Sequence, residues 1–144
     1  MSVKENKDLI RRYLTINAAH IQELAATDKE EFCAPDFVSH TTTGDVKLKE
    51  YHKMVVGMAT AFPDFIVNIE DIIGEGDKVM VRYKNSFTHK GTYMGIAPTG
   101  KKVSMEGISV YRIAGGKIVE AWGVSDNLGM MQQMGAIPAS PPKK

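Results

Sequence analysis

The chain has 144 residues, with eighteen basic and seventeen acidic side chains giving a formal charge of +1. That length fits one domain with a substantial core, and the balanced charge gives no reason to expect nucleic acid or an anionic membrane as partner. No apolar run approaches the roughly 20 residues that cross a bilayer, no basic segment followed by an apolar one opens the chain, and the single cysteine, Cys33, cannot close an internal disulfide, so a cytoplasmic location is expected.

In chain order, Leu9, Tyr13, Ile16, His20 and Leu24 recur at helical steps and predict one long first helix. Asp28 suits the N-cap of a short helix through Phe32 and Cys33, ended by Pro35. Phe37 to His40 is a short strand candidate leading into the polar stretch 41–45. Leu48, Tyr51, Val55, Met58 and Phe62 trace one stripe of a second long helix over about 47–62, stopped by Pro63-Asp64.

The period then shifts to two. Residues 65–74 and 78–88 form a hairpin across Gly76-Asp77, with Val79, Val81, Tyr83 and Phe87 at alternate positions. After a glycine-rich connection, 102–113 and 117–124 form a second hairpin across Gly115-Gly116. A two-residue turn there pairs Tyr111 with Glu120 and Ser109 with Trp122, placing Ser109, Tyr111 and Trp122 on one side. Residues 127–134 make a last short helix closed by Gly135, and 139–144 read as a frayed tail. Helices gathered before long antiparallel strands predict an α+β fold: a strongly curved, cone-shaped antiparallel sheet with helices on its concave side and a small-molecule pocket between. Nothing divides the chain, so 1–144 is expected as one domain with its core at about 8–138. The nine methionines suit either an adaptable pocket wall or core filling.

Several motifs fail on chemistry. The G-x-x-x-x-G-K run from Gly95 to Lys101 is followed by Lys102 and a strand, not by Ser or Thr and a helix, so it is no phosphate loop. His20, His40, His52 and His89 lack zinc-ligand spacing, and no metal is expected. No nucleophile elbow or dinucleotide fingerprint occurs. Cys33, between Phe32 and Ala34, fits a small core residue better than a nucleophile.

Ala61-Phe62-Pro63-Asp64-Phe65, Glu75-Gly76-Asp77-Lys78-Val79 with Arg82, Thr88-His89-Lys90-Gly91, residues 95–101, Gly116 to Trp122, and the run Asp126, Leu128, Gln132 to Gly135 together resemble the SnoaL-like polyketide cyclases. This family lies within the nuclear transport factor 2-like superfamily. The resemblance implies a carboxylate at Asp126 that removes a proton α to a carbonyl, after which the enolate closes a ring by intramolecular aldol attack. An apolar cavity disfavours the ionised carboxyl and raises its pKa; Trp122 and Val124, sharing the strand parity of Asp126, are the expected wall. Asp126 is equally a good N-cap for the last helix, and the two roles are compatible. The superfamily's ketosteroid isomerases place an oxyanion tyrosine near Tyr13, retained here, an oxyanion acid near Ser109 and a base near His40, both changed here. The Arg–Asp pairing of limonene epoxide hydrolase is broken at Lys84.

The expected catalytic residues are therefore Asp126, assisted by His40. Tyr13, Arg82, His89, Ser109, Trp122 and Asp64 are expected around the substrate. Arg82 reads equally as an outward strand charge, His89 as a solvated loop residue and Asp64 as a turn cap. The reaction needs no metal or organic cofactor, because the carbonyl substrate delocalises the charge itself. A homodimer is expected. The alternatives are a non-catalytic binding protein of the same fold, an interaction protein using its exposed sheet face, a dehydratase pairing His40 with Asp126, and an isomerase of the same superfamily.

Overall fold

A capping box starts the first helix, α1 (Val3–Leu14): the Ser2 hydroxyl accepts the Glu5 N–H at 3.1 Å while the Glu5 carboxylate accepts the Ser2 N–H at 3.3 Å. The computed structural model describes residues 2–16, 18–27 and 31–138. The long first helix expected from periodicity is two helices. α1 stops at Thr15, whose hydroxyl turns back to the Arg11 carbonyl at 2.9 Å, and α2 runs Ala18–Thr27. Thr15 and Ile16 are weak helix formers in succession, enough to interrupt a stripe that is otherwise continuous. Asn17, the side chain of Leu24, the Asp28 cap and the 139–144 tail lie outside the described residues.

The short helix expected through Phe32 and Cys33 is not formed at those residues. They lead into a strand, β1 (Cys33–Thr41), and Phe32, Cys33 and Ala34 are all buried. Pro35 sits inside β1 without breaking it. Pairing with β6 is interrupted between Cys33 and Val38, and pairing with β2 begins only at Val38, so no ladder bond is asked of its missing N–H. The polar stretch hides a hairpin to a four-residue strand, β2 (Gly44–Lys47), tightened by the Thr41 hydroxyl donating to the Gly44 carbonyl at 2.6 Å.

Helix α3 (Leu48–Ala61) follows, then β3 (Ile66–Glu75), β4 (Lys78–Thr88), β5 (Lys102–Ala114), β6 (Lys117–Ser125) and α4 (Asn127–Gln133). Gly115 and Gly116 have φ of 58° and 77°, the two left-handed residues that a primed hairpin turn requires. The strands form one open, curved sheet in the order β2-β1-β6-β5-β4-β3. Neighbours are antiparallel except β1 and β6, which run parallel.

Two apolar clusters hold the helices to one sheet face. Leu9 and Ile10 of α1 pack with Phe37, Val79, Val81, Tyr111 and Ile118; at the other end Phe62 meets Phe87, Val103, Met105, Met130 and Met134. Burying a large aliphatic or aromatic side chain contributes about 1.5–3 kcal/mol, so these contacts, rather than helix propensity, fix the helices in place.

The β5–β6 register differs from the simple turn count. Ala114 pairs with Lys117 and Ile113 with Ile118, but Arg112 then pairs with Glu120, leaving Val119 as an extra residue. This bulge inverts everything beyond it: Tyr111 faces Ala121 and Ser109 faces Gly123, while Trp122 pairs with Val110 on the opposite side.

Candidate small-molecule cavity

Between the helices and the inner sheet face lies a cavity of about 250 Å³. Its apolar wall comes from Leu14 at the end of α1, Ile16 just beyond it, Ile21 of α2, and Val55, Met58 and Ala59 of α3, with Phe65 and Val67 closing the sheet side. Its polar groups are four tyrosines, Tyr13, Tyr51, Tyr83 and Tyr111, together with Ser109 and Asn85. No Asp, Glu, His, Lys or Arg lines it among the described residues.

The tyrosines arise from periodicity. Tyr13 follows Leu9 and Ile10 on the buried face of α1, and Tyr51 occupies the inward stripe of α3. The sheet supplies Tyr83 and Tyr111 at inward strand positions. Gly107 opposes Tyr83 across the β4–β5 pair, and any Cβ there would lie 2.5 Å from the Tyr83 hydroxyl, so the absence of a side chain leaves room for the ring. Tyr13 packs edge-on to Tyr111 at 5.9 Å and against Phe32 at 5.6 Å, and Tyr51 packs on Phe37 at 4.9 Å.

The Tyr13 and Tyr51 hydroxyls hydrogen-bond to each other. Burial raises Tyr13 well above the ordinary phenol range, with the neighbouring Tyr51 adding to the effect. Burial likewise pushes Tyr51 up to about 12, although its bond to Tyr13 works the other way. Tyr111 is raised by burial too, opposed in part by its hydrogen bond with Ser109. All three are protonated at neutral pH and are therefore hydrogen-bond donors, not bases.

The expected site residues separate. Tyr13 and Ser109 meet at the cavity; the others are elsewhere. Asp126 is exposed at the N-cap of α4, its carboxylate accepting the Gly129 N–H at 2.8 Å, and it is not on the cavity wall. This carboxylate is exposed, rather than enclosed by the expected wall of Trp122 and Val124.

The bulge at Val119 carries Trp122 to the outer face. There it stacks on His40 with centroids 5.1 Å apart and rings 19° from parallel. His40 is bound by Asp45 at 2.7 Å and Glu120 at 2.8 Å, so both ring nitrogens are engaged away from Asp126, and the pairing a His–Asp dehydratase needs is not formed.

Arg82 points outward as a strand charge and binds Asp71 at 2.7 Å. Asp64 is exposed and ties the turn between α3 and β3 to the end of β4, accepting the Thr88 N–H at 2.8 Å and its hydroxyl at 2.6 Å. His89 is neither a rim group nor a solvated loop residue. It is fully buried beside Phe62, with Nδ1 3.1 Å from the Thr99 hydroxyl.

Tyr51, Tyr83, Tyr111 and Asn85 were not among the expected site residues. Alternation held the signal for Asn85, a polar side chain in the inward series Val79, Val81, Tyr83, Asn85, Phe87.

Fold and cavity together define a small α+β protein that encloses a neutral, tyrosine-rich chamber between helices and the inner face of a curved sheet. The family profile described as SnoaL-like polyketide cyclase matches residues 7–134, and the chain belongs to that family. No functionally curated protein matches its sequence significantly. Among solved structures it is similar to AclR of Streptomyces galilaeus, for which a hydroxylase role has been suggested, at 28% identity and a TM-score of 0.83 over 97% of this chain and 87% of that one. It is also similar to IdmH of Streptomyces antibioticus, a suggested polyketide cyclase, at 28% identity and a TM-score of 0.73 over 90% of this chain and 98% of the other. A SnoaL-like protein of Jannaschia sp. CCS1 shares the fold at 23% identity and a TM-score of 0.80, each chain covered to 94%.

Proposed function

We propose that the chain takes a small neutral carbonyl compound of the aromatic polyketide kind into the tyrosine-lined cavity and promotes its enolisation and aldol ring closure. The observation that carries this reading is the Tyr13–Tyr51 hydroxyl pair on the cavity wall. Two hydroxyls sharing one hydrogen bond leave one proton for a third oxygen. A substrate carbonyl is the matching acceptor. As the α proton leaves, negative charge grows on that oxygen, and a donor already fixed in place stabilises it without reorganisation. The new carbon–carbon bond forms when the enolate carbon attacks a second carbonyl of the same molecule, whose oxygen takes up the proton released from the α carbon, so that no proton is gained or lost overall. With no carboxylate or imidazole on the described wall, the chain's contribution is polarisation of the carbonyl, orientation of the two reacting ends and exclusion of water.

The test is turnover of an aromatic polyketide ester by Tyr13→Phe and Tyr51→Phe, which keep the rings and remove the hydroxyls. Loss of one such donor is expected to lower kcat by about a hundredfold. Unchanged turnover in both variants overturns the reading. A second reading, ligand binding without catalysis, is favoured by the same absence of an acid or base on the wall; saturable binding of the ester with no acceleration of ring closure would establish it. We further propose a homodimer built on the outer sheet face, where Ile108 and Val124 are 48% and 69% exposed.

A further inference from the structure

Asn85 interrupts the apolar inner face of β4, between Val67 on β3 and Met105 on β5. It is 5% exposed, it lines the cavity, and its Oδ1 has no hydrogen-bond partner. A primary amide carries two donors and an acceptor oxygen with two lone pairs, and leaving that oxygen unpaired in the interior costs stability. Leucine would fill a similar volume without that cost. A destabilising polar group retained on a cavity wall is what a ligand-binding position looks like before its ligand arrives.

We propose that Asn85 anchors the ligand by pairing its side-chain amide with a ligand hydroxyl, the Oδ1 accepting the hydroxyl proton. A hydroxyl suits the amide because it both donates and accepts, so it can meet the oxygen and the nitrogen of the same group. The rest of the cavity narrows the class. Its described wall has no charged side chain, so a neutral ligand is preferred over a carboxylate or an amine. Its volume of about 250 Å³ lies just below the range of roughly 300–1,000 Å³ usual for drug-sized ligands. The ligand class is thus a neutral, ring-hydroxylated compound of one or two rings. This inference rests on reading the cavity as the substrate chamber, but on no particular reaction within it.

The probes are 2-naphthol and 2-methoxynaphthalene, titrated into the full chain and followed by their fluorescence. They differ in whether the oxygen can donate. Wild type is expected to bind 2-naphthol about tenfold more tightly, the equivalent of about 1.4 kcal/mol for one net hydrogen bond. In Asn85→Leu the two probes are expected to bind alike. The ligand-free Leu variant is expected to melt a few degrees higher, because the unpaired acceptor is gone. Equal affinities in wild type, a comparison that needs no variant to fold, overturn the role of Asn85 while leaving the chamber standing. A preference for 2-naphthol that survives in Asn85→Leu does the same. Saturable binding of neither probe overturns both the anchor and the chamber.

Discussion

Asp45 and Glu120 grip the two nitrogens of His40, and Glu120 is held in turn by Arg112 at 2.6 Å, so one imidazole joins β1, β2 and β6 on the outer face. The hydrogen bond to Glu120, then that to Asp45, raises the His40 pKa above 6.5, against a smaller opposing effect of burial. Glu120 is lowered by its bonds to His40 and Arg112. The signs follow. A histidine whose folded pKa is raised contributes stability that is fully present below its unfolded value and disappears as pH rises through the folded one. A carboxylate with a lowered pKa contributes above its unfolded value and loses that contribution as pH falls. The cluster is therefore strongest between the ordinary Glu and His values, about 4.3 and 6.5. The melting-temperature advantage of wild type over His40→Gln, measured at about pH 6 and about pH 9, should be smaller at the higher pH. Equal differences at both ends would show that the imidazolium contributes nothing. The group is solvent-facing, so the effect is modest and shrinks in high salt.

At the scale of elements, one extra residue separates what the sequence shows from what it hides. Both long hairpins, α3 and the last helix are visible as periodicity and turn chemistry, and their bounds fall within a few residues of expectation. The bulge at Val119 is not visible, because nothing in Lys117-Ile118-Val119-Glu120 marks which residue will be left unpaired. That single residue moves Trp122 from the inner face to the outer one. β2 was missed because its four mostly exposed residues carry no apolar alternation, and the α1–α2 break because an apolar stripe continues across it.

Asp126 shows the same gap between motif and placement. Its two compatible roles are distinguishable by chemistry, since Asn caps a helix as well as Asp does but is no base. Asp126→Ala should lower stability by about 1 kcal/mol, and Asp126→Asn by far less. Both variants are measured by denaturant unfolding, alongside turnover of the polyketide ester. Retained turnover in the Asn variant would fit the exposed cap seen here. A large loss without a loss of stability would mean that the carboxylate reaches the substrate in a conformation other than this one.

For the whole molecule, the outer sheet face raises a question that the cavity does not. Val110 pairs with Trp122 and Ile108 with Val124, giving a contiguous apolar block on β5 and β6, with Ile66 and Ile73 exposed on the edge strand β3, beyond β4. Charged side chains border the block: Arg82 lies beside Ile108, and Arg112 is bound to Glu120. An apolar centre with a polar rim is the composition of an interface core, and a sheet face can pair with a second copy of itself about a two-fold axis. A stable pair needs upwards of about 1,000 Å² of buried surface, which requires most of the face rather than Ile108 and Val124 alone. Sedimentation velocity on the full chain should therefore give the mass of two chains. Val124→Lys puts a charge at the most exposed apolar position of this block and should shift the species to one chain. Binding of 2-naphthol should persist in that variant, because β6 residues do not line the cavity among those described. A wild-type mass of one chain at tens of micromolar would leave the apolar face without the partner assigned to it. Concurrent loss of dimer and ligand binding would instead mean that the sheet needs its second copy to hold the curvature on which the cavity depends.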